Sequence, residues 1–308
     1  MLINIQDDIT RLHNNKLLEG LLIDKTTKKN IMWATDAYSS YGQEYARDHE
    51  IMIHQITGWN GELIQPRARK ALAHQAERTR QHAEVFTPQW ICTKMNDHAD
   101  TTWFGRENVF HIDGLPTERV EFPKDKAWQQ YVDSRRLEIT CGEAPYLVNR
   151  YDVSTGEIIP IQHRNGILDR KLRVVNENTF TEEEWFQWTR RAYEATYGYE
   201  FQGDNLLIAR INFMVTYEEY LNARWQRKPT QKEYNSIGNI TSWNLWQMDG
   251  LTYTIPYSKA DDGTEQISMF DFLGLVTTTE PEKQPYCHIY DWRSKNDLVF
   301  RSLQKGAW

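Results

Sequence analysis

The chain has 308 residues, 40% of them hydrophobic and 26% charged, and a formal net charge of −7. That length and composition can bury a sizeable core in one large domain or two small ones, and they exclude disorder as the main state. No stretch approaches the roughly 18 consecutive apolar residues of a membrane helix. Met1 to Asn15 mixes charges and amides where a secretory signal would be apolar, so the expectation is a cytoplasmic protein with no membrane partner. Cys92, Cys141 and Cys287 lie far apart and form no CxxC pair, which argues against a disulfide framework and against structural zinc; no metal site is expected.

In chain order, the first 65 or so residues read as helical and irregular by turns, closed by Trp59-Asn60-Gly61 and Pro66. Arg67 to Glu84 has a helix-favouring composition. Its basic run, Arg67, Arg69, Lys70, Arg78 and Arg80, fits either a solvated helix face or a phosphate-tracking surface. Thr87-Pro88 places a proline at a first helical position, with Thr87 as the N-cap of a helix from Pro88 to about Ala99. The apolar run from Leu137 is broken by Gly142, as expected for a buried strand that enters a tight turn, and the build of Leu137 to Leu147 is strand, turn, helix. Asn149 to Asn178, punctuated by Gly156, Pro160 and Gly166, reads as a long connection.

Thr181-Glu-Glu-Glu184 reads as a capping box for a helix from Glu182 to Thr196, followed by a short strand that ends in Glu200. Asp204 to Trp225 is the best helix in the chain, with Leu207, Ile211, Met214 and Leu221 on one face, and it stops before Pro229. Ile240 to Leu251 is another apolar segment, and Pro285 to Trp292 a last strand. Strands alternating with helices predict an α/β fold with a parallel sheet. The division expected is a mainly helical N-terminal region, 1–80, before an α/β domain, 81–308.

Val85-Phe-Thr-Pro88, the turn from Glu138 to Tyr146, Glu200 and Asp249 follow one another in an order and spacing that resembles the amino-group DNA methyltransferases that act on adenine. The closest likeness is to modification subunits of restriction–modification systems, including the small proteins labelled restriction endonuclease subunit M, and it covers roughly residues 80 to 255. The resemblance implies a Rossmann-like class I methyltransferase core, atypical or truncated, with S-adenosylmethionine as cofactor. It implies DNA as partner, together with a restriction or specificity subunit or a second copy of the chain.

By the same resemblance, Thr87 would hold the cofactor's carboxylate at a helix start, with Phe86 packed beside it. Cys141 and Gly142 would let the backbone approach the cofactor, with Glu138 in place of the usual strand-end aspartate. Glu200 would accept the ribose hydroxyls, and Asp249 would contact the adenine amine of the cofactor. Against the family's Asp-Pro-Ala-Cys-Gly-Ser-Gly turn, this chain has Glu138-Ile-Thr-Cys-Gly-Glu-Ala144, with Ala144 where the second glycine stands.

The family's Asn/Asp-Pro-Pro-aromatic motif is missing. Its nearest positional counterpart is Ile289-Tyr-Asp-Trp-Arg293, in which Asp291 would accept a hydrogen bond from the target amine and Trp292 or Tyr290 would stack on a flipped base. Only 16 residues follow Trp292, fewer than the remaining strands of a full methyltransferase sheet need. Two readings therefore stay open: an active adenine methyltransferase, and a subunit that binds cofactor or DNA without transferring a methyl group. A self-contained nuclease has only Asp169-Arg-Lys171 in its favour, a variant of the metal-binding triplet. Motifs for nucleotide hydrolysis, zinc proteolysis and serine hydrolysis are all missing from the sequence.

Overall fold

A computed structural model describes residues 2–70, 87–260 and 283–305. The N-terminal part begins with α1 (Ile5–Asn14), whose Asn4 side chain caps the amide of Gln6 and whose Ile5, Ile9 and Leu12 are buried at helical spacing. Two short helices follow, α2 (Leu18–Leu22) and α3 (Ile53–Ile56), and the chain between them is irregular. Of the helix expected from Arg67, the described residues contain a single 3-10 turn, Arg67–Arg69; Ala71 to Phe86 lie outside them.

The next helix, α4 (Gln89–Phe104), runs a turn further than expected and stops at Gly105, which takes the left-handed conformation common at helix ends. Pro88, not Thr87, is its N-cap residue, and no side chain caps it. A small hairpin, β1 (His111–Ile112) with β2 (Leu115–Pro116), turns through Asp113-Gly114, both at positive φ. Helix α5 (Trp128–Val132) leads to the central sheet.

That sheet has three parallel strands in the order β3 (Arg136–Glu138), β4 (Thr196–Glu200), β5 (Leu245–Gln247). The first crossover carries α6 (Ile167–Asn178) and α7 (Glu182–Glu194), the second α8 (Gly203–Trp225) and α9 (Gln231–Asn244). Helices mixed with small sheets are what the alternating sequence pattern predicts. Every residue of β4 is buried, as in a sheet covered on both faces. Helix α8 is buried on all sides along its first four turns, so it is a core element and not a surface amphipath.

Three expectations are corrected. The turn after β3 is not followed directly by a helix: residues 142–143 and 145–147 form two successive turns, and the helix starts only at Ile167. There the amides of Ile167 and Leu168 donate to the carbonyls of Tyr146 and Leu147, at 2.8 Å each, so the chain between is an excursion and the helix resumes where the turn left off. Gly166 makes the return possible, since a Cβ there would lie 2.5 Å from the Leu147 carbonyl oxygen.

The second correction is that α6 occupies part of what reads as a long connection. The third concerns the last strand, which lies outside the parallel sheet. β6 (Lys259–Ala260) pairs in parallel with β7 (Lys283–Gln284), and β8 (His288–Asp291) forms an antiparallel hairpin with β9 (Asn296–Val299).

The N-terminal segments share one hydrophobic core with the sheet region. Ile5, Leu22 and Trp33 belong to the same buried cluster as Leu172, Trp185, Phe213 and Leu245. The joint is tight: the amide of Gly203 donates to the Trp33 carbonyl at 3.0 Å, and a Cβ on Gly203 would lie 1.9 Å from the Met32 carbonyl oxygen. Arg210, fully buried on α8, donates to the carbonyls of Leu21, Ile23, Ser242 and Leu245 and so ties α2 to the end of α9. No described helix is long and apolar enough to cross a membrane.

Candidate functional site

Parallel sheets bind ligands beyond the carboxyl ends of their strands, where the backbone turns away and leaves a crevice. A cleft lies there, at the end of β3. It encloses about 510 Å³, part of it open to solvent. The turn itself, Glu138 to Tyr146, forms one wall, and the others include Thr87 before α4, Arg67, and Asn205 in the first turn of α8.

The turn is strained in a regular way. Thr140, Gly142 and Ala144 all have positive φ, at 50°, 56° and 66°, alternating with residues of ordinary conformation. For glycine this is free of strain; for Thr140, which is β-branched, it is costly, and such strain persists only where the surroundings impose it. Ala144 thus adopts a conformation that glycine takes more readily. A Cβ on Gly142 would meet nothing within 4 Å, so the backbone is bare at that point.

The carboxylates around the turn have distinct surroundings. Glu200, buried at the end of β4, accepts the amide of Gly142 at 2.8 Å through one oxygen and that of Gln202 at 3.1 Å through the other. It braces the turn from behind and is not part of the cleft wall. Glu143 accepts the Tyr151 hydroxyl at 2.7 Å and the Arg67 amide at 2.6 Å, which joins the excursion and the Arg67 segment to the turn. Glu138 is half-buried on the wall, and burial alone pushes its carboxyl up to about 8.

The thiols offer no nucleophile. Burial raises Cys141 well above the usual thiol range and pushes Cys92 up to about 12, so both stay protonated at neutral pH. Tyr146 closes one side, with its hydroxyl 3.2 Å from the Met95 sulfur and its phenol raised by burial.

Of the residues picked out from the sequence, the structure brings Thr87, Glu138, Cys141 and Gly142 into this cleft, with Glu200 directly behind it. Asp249 lies past the end of β5, where its side chain accepts the amide of Leu251 at 2.8 Å in a local turn; it does not line the cleft. Phe86 lies outside the described residues.

Tyr290, Asp291 and Trp292 are not brought together with the cleft. They sit at the amino ends of the strands, beside Arg135, Ala195 and Tyr197. β4 spans five residues, which separates its two ends by roughly 13 Å. Asp291 is held by Arg135 at 2.8 Å and by the Ser294 hydroxyl at 2.9 Å, and these partners keep its carboxyl below the usual range. The Trp292 indole donates to Asn244 at 2.7 Å and packs edge-on against Tyr290, 4.6 Å between ring centres.

The Asp169-Arg-Lys171 triplet does not converge either. Asp169 accepts the Asn149 amide, Arg170 pairs with Asp97 and Asp100, and Lys171 donates to the carbonyls of Ser134 and Ala195. Among the described residues, no group of three or more His, Cys, Asp or Glu side chains is arranged to hold a metal ion.

Sequence reasoning missed Arg67, Thr140, Tyr146 and Asn205 as cleft residues. Arg67 and Asn205 carry no local motif; they reach the cleft through long-range packing. Comparison with known proteins finds no family model that matches the chain, no curated protein that matches it and no solved structure that matches it.

Proposed function

We propose that the chain binds S-adenosylmethionine on a Rossmann-like core and serves a restriction–modification system that methylates the adenine amine of DNA. One observation carries the reading: Thr87 meets Glu138, Cys141 and Gly142, which lie together in the turn some fifty residues later, in one cleft at the carboxyl end of a parallel strand. The donor set suits an adenosyl–amino acid. Arg67 places a guanidinium on the wall, the side to which a ligand carboxylate would turn, Thr87 and Asn205 make that wall polar, and the bare backbone at Gly142 allows close approach. Glu200 fits the ribose role less well, because both of its oxygens already accept amides of its own chain. When bound, the cofactor supplies an electrophilic methyl group. The protein's part is to bind and orient it and to shield it from water.

A second reading, that of a cofactor- or DNA-binding subunit without transfer, is favoured by the distance between the cleft and Tyr290, Asp291 and Trp292. Such a subunit would act with a restriction or specificity subunit or with a second copy. Calorimetric titration with S-adenosylmethionine, together with tritiated methyl transfer to DNA that lacks adenine methylation, separates the two. Transfer supports the methyltransferase, binding without transfer supports the subunit, and the absence of binding overturns both.

A further inference from the structure

Glu143 and Glu200 are satisfied from within the fold: each accepts at least two hydrogen bonds from described residues, and neither is more than 7% exposed. Glu138 differs. It stands on the cleft wall, and no described residue hydrogen-bonds or ion-pairs with its carboxyl. A half-buried carboxyl without a partner is poorly solvated by the protein and gains most when a positive charge comes to it.

We propose that Glu138 receives the sulfonium charge of the ligand, not its α-ammonium, whereas Glu200 braces the turn without touching the ligand; this rests on the S-adenosylmethionine reading of the cleft. That cofactor carries a sulfonium, a fixed cation. Its demethylated counterpart, S-adenosylhomocysteine, has the same amino-acid and adenosine groups around a neutral thioether. The pair therefore isolates the one charge that Glu138 would detect.

The same arrangement couples binding to a proton. With its carboxyl raised to about 8, Glu138 is mainly protonated in the empty cleft at pH 7, and a cation beside it favours the carboxylate. The titratable groups around it are Arg67, Glu143 and Tyr146 on the wall, Cys141 in the turn, Cys92 on α4 and Glu200 behind. Burial keeps the thiols of Cys92 and Cys141 and the phenol of Tyr146 neutral through pH 6 to 8.

Calorimetry on the full chain at pH 7, in two buffers of different ionisation enthalpy, tests the proposal with both ligands. Wild type is expected to prefer S-adenosylmethionine by about tenfold, the gain of a partly screened charge pair, and to release close to one proton with that ligand alone. Glu138→Gln removes both the preference and the proton release yet still binds S-adenosylhomocysteine, which shows that the cleft is intact. Glu138→Asp keeps the proton release at lower affinity. Glu200→Gln weakens both ligands alike and keeps the preference. A Glu138→Gln protein that retains preference and proton release overturns the proposal, as does loss of the preference in Glu200→Gln. If wild type binds neither ligand, the cofactor reading itself fails and the proposal with it.

Discussion

The two ends of the parallel sheet both carry charged residues and use them in opposite ways. At the amino ends, Arg135 holds Asp291, Arg293 and Arg191 converge on Asp133, and Arg191 also reaches Glu194 at 3.1 Å. Each charge there answers another, and Lys171 beneath them donates to two strand-start carbonyls. At the carboxyl ends, the chain places a strained turn, a bare stretch of backbone and a carboxyl without a partner around open space. The presence of charge does not distinguish a site from a structural knot. The distinguishing feature is whether polar groups have been satisfied by the fold.

That contrast can be broken most forcefully at Glu200. Glu200→Ala removes two charge-assisted bonds to backbone amides and is expected to cost about 3 kcal/mol of stability, measured by urea unfolding. A loss below about 0.5 kcal/mol would mean that the turn does not depend on the brace.

Next in size is a pH effect at Glu138. Its folded carboxyl titrates near 8 against an ordinary value of 4.5, so the folded state holds the proton more tightly. Its contribution to stability is complete below about pH 4.5 and disappears as pH rises through 8. The ligand-free protein should lose on the order of 2 kcal/mol between pH 5 and 8, after allowance for partial exposure, and Glu138→Gln should flatten that slope in thermal melts. An unchanged slope in the variant would place the titration elsewhere.

At the amino ends, a double-mutant cycle on Arg135 and Asp291 is expected to give a coupling of about 1 kcal/mol, with S-adenosylmethionine affinity unaltered by Asp291→Ala. A fall in affinity would link the two ends. The smallest effect belongs to Thr140→Gly, which relieves a positive φ at an exposed β-branched residue and should raise stability by about 0.5 kcal/mol. Destabilisation would show that the Thr140 side chain contributes more than its strain costs.

Much of the sheet region was legible because its signals are local. The run at Leu137 broken by Gly142, the acid after Tyr199 and the apolar length of α8 each declare a strand or helix without reference to distant residues. The strand at Leu137 is nevertheless not the buried one its apolar run suggests: Leu137 is 37% and Ile139 63% exposed. Helix α6 was not legible. Asp169, Arg170 and Lys171 read only as a variant of a metal-binding triplet, yet they are 0%, 1% and 1% exposed, each satisfied by a partner that only the fold brings near. Helix α9 did carry a signal that was passed over: Thr230 and Glu233 form a reciprocal capping box directly after Pro229. In the cleft, Thr87, Glu138, Cys141 and Gly142 were recoverable from the turn and the Thr-Pro step. Arg67 and Asn205 were not, because their position depends on how the N-terminal segment docks on α8.

That docking has a consequence in time. Trp33 waits for Gly203 and Met32 for Gln247, while Leu21 and Ile23 wait for Arg210. During synthesis, roughly 10–30 s separate the emergence of residue 33 from that of residue 203 at about 5–20 residues per second. Through that interval, Leu18, Leu21, Leu22 and Ile31, buried in the finished fold, lack the surface that covers them. This early stretch is thus sheltered only after α8 has emerged, and its exposure to chaperones and proteases is set by the distance along the chain to α8.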